Sequence, residues 1–303
     1  MIHRECGVLK TTYEADMALY PLPIARWTVG VLAVLFFLVV PMTVHEYYLS
    51  LANLVWIAII GALGLNILVG YTGIKGLYLA IATLAGQLII EWTINHVTFI
   101  SGGVQASIEV ARPRVGPMVL STQRDMYYFL LVFVGLAIVG TLNLMRSRIG
   151  RAFIAIRDHD IAAELIGINI FRYKLLAFAI SSFYAGVTGV LYTYFLGIAN
   201  YEQFQITVSI DYLAMIIIGG LGSVLGSIFG AIFVTLLPIG IRYAMEAFGG
   251  GFFSPQTVLN LIPNLRLMLF GALIILFLVV EPDGLNRLWR NIRNYFRVWP
   301  FAY

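Results

Sequence analysis

Between Leu49 and Val69 the chain runs for 21 residues without a charged side chain. A backbone placed in hydrocarbon finds no water for its N–H and C=O groups, so such a run must be helical and satisfy its own hydrogen bonds. About 20 helical residues cross a hydrocarbon layer of ~30 Å. Comparably apolar runs fall at Trp27–Val44, Gly76–Thr93, Tyr127–Met145, Tyr173–Leu196 and Leu265–Val280, with Glu91, Lys174 and Arg266 their charged residues. Composition agrees, with 60% hydrophobic and only 11% charged residues, where a soluble domain carries roughly a quarter charged. The expected fold class is all-α: a polytopic transmembrane helical bundle.

The apolar stretch from Ile206 to Ile241 is 36 residues long. As one helix it would measure about 54 Å, too long for a single crossing even when tilted. Gly219-Gly220-Leu221-Gly222-Ser223 lies in its middle, and glycine is a poor helix interior. The stretch therefore divides into two helices, 206–219 and 223–241, which brings the total to about eight spans.

Charge orients the bundle. Six of the nineteen Lys and Arg residues sit between Arg146 and Lys174, and short basic loops beside spans mark the cytoplasmic side. With eight crossings, the N-terminal tail, the turn at Lys75, the 146–172 loop, the glycine turn and the tail bearing Arg287, Arg290, Arg293 and Arg297 share one side. That side holds fourteen of the nineteen basic residues, counting Lys174 at the loop's end. A single crossing at 206–241 would put the four tail arginines outside. The organisation expected is a cytoplasmic tail at 1–26, a transmembrane domain at 27–281 and a basic cytoplasmic tail at 282–303. Net charge is +4, but the basic residues adjoin apolar spans, which argues against a nucleic-acid surface.

The basic loop carries a helix of its own. Asp158 and Asp160 suit the free N–H groups at a helix start, and Gly167 tolerates the left-handed stop. Ile161, Leu165 and Ile168 fall at i, i+4 and i+7 as one apolar stripe. A helix this short is marginal alone and needs a surface to dock on. Pattern alone leaves two surfaces open: the membrane or bundle itself, or a partner.

The segment Gly150-Arg151-Ala152 through Ile156-Arg157-Asp158, then Asp160-Ile161-Ala162-Ala163-Glu164 and Gly167-Ile168-Asn169, resembles the coupling loop of ABC-transporter permeases. More narrowly it resembles the branched-chain amino-acid permease family, over about Leu77 to Leu285. The resemblance implies that Ala162, Ala163, Glu164 and Gly167, with Asp160, form a knob held in a groove of an ATP-hydrolysing subunit, with Arg151 and Arg157 making charged contacts around it. It implies no cofactor on this chain, with ATP and Mg2+ on the partner ATPase. The implied partners are a second homologous permease, two ATP-binding subunits, an external solute-binding protein and membrane lipid. ATP binding would then move the docked helix and tilt the spans attached to the loop. One departure stands out. Family members place about two further helices between the Gly-Tyr-x-Gly turn, here Gly70–Gly73, and the Gly-Leu-Tyr-x-Ala-Ile-x-Thr-Leu segment, here Gly76–Leu84. The two nearly abut here, so loss of a helix pair is the simplest account, and an even number preserves topology.

No motif for bond-making chemistry is present. There is no G-x-x-x-x-G-K-[ST] phosphate loop, and His3, His45, His96 and His159 have no metal-ligand spacing. The lone Cys6 excludes an internal disulfide. Polar groups inside spans are costly and draw attention for that reason: Asn66, Glu91, Asp211, and the i, i+4 pair Thr83 and Gln87. Thr83, Gln87 and Asp211 are the candidates for lining a pathway, against interhelical hydrogen bonding as the plainer role. Gly222, Gly226 and Gly230 recur every four residues, a small-residue face for close helix approach in lipid, serving either packing within the bundle or a sliding or subunit interface. The function expected is an importer permease for amino acids, most often branched-chain in the family. Urea, amide or other amino-acid import and a non-transporting membrane scaffold are the alternatives.

Overall fold

The computed structural model describes residues 34–74, 77–97, 108–116, 118–200, 204–249, 271–277 and 284–298, with the separate positions 27, 30, 31, 268, 269 and 279. The expected tail 1–26 with Cys6, the turn residue Lys75 and much of the span at 265–280 lie outside the described residues.

A π-helical turn, Leu35–Val39, leads into α1 (Val40–Thr43). His45 then caps α2 (Glu46–Asn66), its ring accepting from the Tyr47 N–H, and α2 ends in a second π-turn, Ile67–Tyr71. Next come α3 (Leu77–His96) and α4 (Gln123–Arg146), the latter opened by a capping box between Thr122 and Asp125. The basic loop folds as α5 (Arg148–Asp158) and α6 (Asp160–Leu165). The chain returns through α7 (Ile170–Leu196), α8 (Ile206–Gly219) and α9 (Val224–Gly249), and α10 (Gly284–Val298) follows. Among the described residues four helical stretches are long and apolar enough to cross a membrane: Glu46–Tyr71, Gln123–Arg146, Ile170–Leu196 and Val224–Tyr243. The apolar helix Ile206–Gly219 is shorter.

α2 is the axis of the bundle. It packs against α4, α7, α8 and α9, and two-thirds of its most apolar window (67%) is buried, against 22% for α4. A helix surrounded on all sides needs no polar face, which is why α2 reads as apolar all round. Ile59, Ala62 and Leu63 of α2 meet Leu130 and Val134 of α4, Ile216 of α8 and Ala231 of α9 in one core. Two glycines bring neighbours onto the α2 backbone: a Cβ at Gly61 would stand 2.5 Å from the Tyr212 ring, and one at Gly64 would stand 2.5 Å from the Tyr184 Cβ. Tyr184 also donates to the Ala137 carbonyl at 3.0 Å, tying α7 to α4.

Several expectations change. The break at 219–223 is present, but α9 runs past 241 to Gly249 with Pro238 inside it. The basic loop contains two helices rather than one, because Asp158 ends α5 instead of starting α6 and His159 between them is extended. The basic tail is a helix packed on α8 and α9, with Phe229 and Trp289 rings 5.6 Å apart. Two short antiparallel strand pairs add to the helices: β1 (Ile108–Glu109) with β4 (Ile198–Ala199), and β2 (Arg114–Val115) with β3 (Met118–Val119).

Candidate coupling site

The loop between α4 and α7 is built on Ser147 and Gly150. Ser147 Oγ donates to the Leu144 carbonyl at 2.7 Å and accepts from the Gly150 N–H at 3.3 Å, closing α4 and opening α5 within one residue. A Cβ at Gly150 would run into the Leu144 carbonyl and Met145. The sharp turn lays α5 across the end of α2, where Phe153 shares a small core with Ile67, Leu68 and Ala177. The Phe153 and Tyr173 rings meet edge to face at 6.3 Å.

α6 stands outside this core. Ala163 is its single buried residue, 2% exposed. Ile161, Leu165 and Ile166 are 73%, 84% and 76% exposed. The helix stops in a Schellman arrangement: the Gly167 N–H donates to Glu164 O at 2.9 Å and the Ile168 N–H to Ala163 O at 3.0 Å. Gly167 has φ +89°, which a β-carbon disfavours. Asn169 then caps α7, accepting from the Arg172 N–H at 3.0 Å. A groove of about 660 Å³ runs beside the knob, lined by Glu164, Gly167, Ile168, Asn169, Phe171 and Lys174 among others. Ala162 and Glu164 are exposed with the aliphatic residues. Ala163 is not part of that surface, because its side of α6 faces the bundle, where the helix lies against α5 and α7.

Arg157 also differs from its expected role. Its Nη1 donates inward to the Gly70 carbonyl at 3.3 Å, and its Nε to Asp158 at 3.0 Å. Gly73 packs on its stem, and a Cβ at Gly222 would stand 2.6 Å from Nη1. Arg157 thus binds the bundle through part of its guanidinium while remaining exposed, as Arg151 is.

Beneath Arg157 lies a fully buried asparagine. Asn66 Nδ2 donates to Ser223 O at 2.9 Å and to Ser227 Oγ at 2.6 Å, and its Oδ1 accepts from the Gly222 N–H at 2.9 Å. Buried amides hold their partners because an unpaired one is expensive. Gly222 has φ +73° and lies in the turn between α8 and α9, so it does not share a helix face with Gly226 and Gly230. Those two do face α8: a Cβ at Gly226 would stand 2.7 Å from Gly219 O, and one at Gly230 would run into Met215 O.

The candidate lining residues fall on two helices. Thr83 is exposed on α3, Gln87 Nε2 donates to the Phe204 carbonyl at 3.3 Å, and Asp211 is half-buried on α8. Sequence reasoning missed α5 as a helix; its signal was Ser147 as an N-cap with Ala152, Phe153 and Ile156 on one face.

Long apolar helices around a buried central helix, with a short helix held outside them, are the architecture of a multi-pass membrane protein. The family whose model matches residues 26–278 is described as "Branched-chain amino acid transport system / permease component", and the chain belongs to it. That family is one of permease components of a transport system, and the long apolar helices of this chain fit a multi-pass membrane protein. Among its relatives is the high-affinity branched-chain amino acid transport system permease protein LivM of Escherichia coli K12, 27% identical over 266 residues, 80% of this chain and 58% of the relative. LivM of Salmonella typhimurium is 27% identical over 235 residues, 70% of this chain and 51% of the relative. The xylose transport system permease protein XylH of Haemophilus influenzae is 30% identical over 128 residues, 40% of this chain and 34% of the relative. The chain spans about half the length of the LivM relatives it matches. No solved structure matches the chain.

Proposed function

We propose that this chain is a permease subunit of an ATP-driven importer for amino acids, branched-chain ones foremost, and that it engages separate ATPase subunits through α6. The observation that carries the reading is the exposure of Ile161, Leu165 and Ile166 on a helix outside the bundle. Burying one such side chain is worth about 1.5–3 kcal/mol, so three together favour an apolar groove on a partner. Within α6 the charged residues are Asp160 and Glu164, and carboxylates are repelled by anionic cytoplasmic headgroups, so the knob suits lipid less than the basic loop around it does.

The topology proposed is eight spans with both termini cytoplasmic, which obeys the positive-inside rule. The contacts of Arg157 with Gly70 and Gly222 support it, as does Gly284 against Gly219 and Gly220, because these segments are the ones that eight crossings assign to one side. A second permease, two ATPases carrying ATP and Mg2+, and an external binding protein complete the proposed assembly. The extent of the LivM matches favours branched-chain cargo over sugars, since the XylH match covers less of the chain.

The test is reconstitution of this chain with ATPase, second permease and binding protein in liposomes, followed by labelled leucine uptake. ATP-dependent uptake is expected, together with loss of ATPase capture when Ile161 and Leu165 are both changed to Asp. Uptake of urea or xylose but not leucine overturns the cargo. ATPase capture surviving the double substitution overturns the docking site.

A further inference from the structure

We propose that Asn66 and Arg157 form the joint that passes movement of the docked α6 into the broken hairpin α8–α9, with Gly222 as the first part to move. The inference rests on the coupling reading above and adds a route to it. Covalently, α6 leads back through α5 to α4 and forward through residues 166–169 to α7. A noncovalent path leads elsewhere, to a hairpin lying far along the chain.

Arg157 is the penultimate residue of α5 and stands three residues before α6. Its guanidinium binds the Gly70 carbonyl and fills the space over Gly222 where a side chain would be. Asn66 joins the same two backbones from below, holding Gly222 N, Ser223 O and Ser227 Oγ at 2.9, 2.9 and 2.6 Å. At Gly70 and Gly222 no side chain intervenes, and a Cβ on Gly70 would collide with Asn66 Oδ1. A push on α5 therefore reaches the Gly70 carbonyl through the Arg157 guanidinium and passes from Gly70 to Gly222 backbone to backbone. The receiving turn can yield, because Gly220 at φ +117° and Gly222 at φ +73° lie where glycine rotates freely. The hairpin beyond cannot shear easily, since Gly226 and Gly230 seat α9 against the α8 backbone. A compliant turn feeding a locked helix pair is a hinge driving a rigid body.

The full complex in liposomes tests this, with Cys6 changed to Ser and spin labels at Leu221→Cys and Leu136→Cys, both exposed positions. In the otherwise native chain the distance between labels should change on ATP binding. Asn66→Leu keeps the branched outline of the side chain, with bulkier ends, and removes all three hydrogen bonds. It should retain ATPase capture and hydrolysis, abolish the distance change, and lower uptake per ATP by about tenfold, within the usual range of coupling. Should Asn66→Leu fail to insert, Arg157→Ala at the edge of the bundle reads out the same quantities, and Arg157→Lys, which keeps a donor, should restore them. A native chain that imports while Leu221 stays fixed overturns the joint, as does unchanged uptake per ATP in both Asn66→Leu and Arg157→Ala. Failure of the native chain to capture the ATPase overturns instead the coupling reading on which the joint rests.

Discussion

Replacing Gly230 by alanine should weaken the α8–α9 pair far more than one methyl group suggests. The added carbon would fall within bonding range of the Met215 carbonyl oxygen, and it would stand 3.0 Å from the Gly219 Cα. Both neighbours are backbone, so no rotamer change makes room, and the helices must part by roughly an ångström or more to relieve the overlap. Overpacking of this kind costs about 1–3 kcal/mol. Gly240 lies on the same helix, and a Cβ added there would meet nothing within 4 Å, so Gly→Ala at that position should stabilise the helix by roughly 0.5–1 kcal/mol. The two variants should thus differ by about 1.5–4 kcal/mol with opposite signs. At roughly 2–4 °C per kcal/mol for a chain this large, the difference is several degrees in Tm. Thermal unfolding of the detergent-purified full chain, followed by size-exclusion chromatography, measures it directly. Equal Tm for Gly230→Ala and Gly240→Ala would refute close backbone packing between α8 and α9.

Other expectations follow from the same geometry. Gly167→Val, forced to φ +89°, should cost about 1–2 kcal/mol locally and speed amide exchange at Ile168, while Gly167→Asn should be milder; equal exchange in both would count against the left-handed stop. Ser147→Ala should cost about 1 kcal/mol by loss of the N-cap, read as a lower Tm, and Ser147→Asp should recover most of it. In a Cys6→Ser background, Leu165→Cys should react with an impermeant maleimide only in inside-out vesicles and Glu109→Cys only in right-side-out ones; labelling of both from one face would break the eight-span order.

What could be read from sequence was what depends on length and local chemistry. The break at Gly219–Ser223 followed from a run too long for one crossing, and the stop at Gly167 from glycine's access to positive φ. What could not be read depends on distant partners or on which side of a short helix faces inward. Asn66 stood out as a buried amide, but Ser227 lies 161 residues away, and nothing local links them. Gly222 fits a four-residue spacing with Gly226 and Gly230, yet it serves the turn, because α9 begins only at Val224. Ala162 and Ala163 are equivalent in sequence; the step of about 100° between successive helical residues puts one outside and the other against the bundle. Arg157 is the surface cation its pattern suggests, but its hydrogen bond to the Gly70 carbonyl, 87 residues away, has no local signal.

The two ends of the central helix differ in how they are held, and that difference bears on where motion enters. In its first half α2 is held by side chains: Asn53 Nδ2 donates to both oxygens of Gln123 at 3.2 and 3.3 Å, while beside it Tyr127 of α4 donates to Phe36 O at 2.9 Å. Trp56 meets Phe36 and Tyr127 edge to face at 5.4 and 6.0 Å. At the other end α2 loosens into a π-turn, a distortion that accompanies functional sites. Gly70 within that turn leaves its carbonyl to Arg157, and Gly73 and Gly222 close the contact with positive φ. A force applied at α6 therefore meets the compliant end of the axis first, while the aromatic end serves as the anchor. On that arrangement a variant that stiffens the glycine turn should block transport, whereas loosening the aromatic end, as in Trp56→Leu, should lower stability and leave uptake per ATP unchanged in the protein that remains folded. A fall in uptake per ATP for Trp56→Leu equal to that for Asn66→Leu would remove the distinction between the two ends.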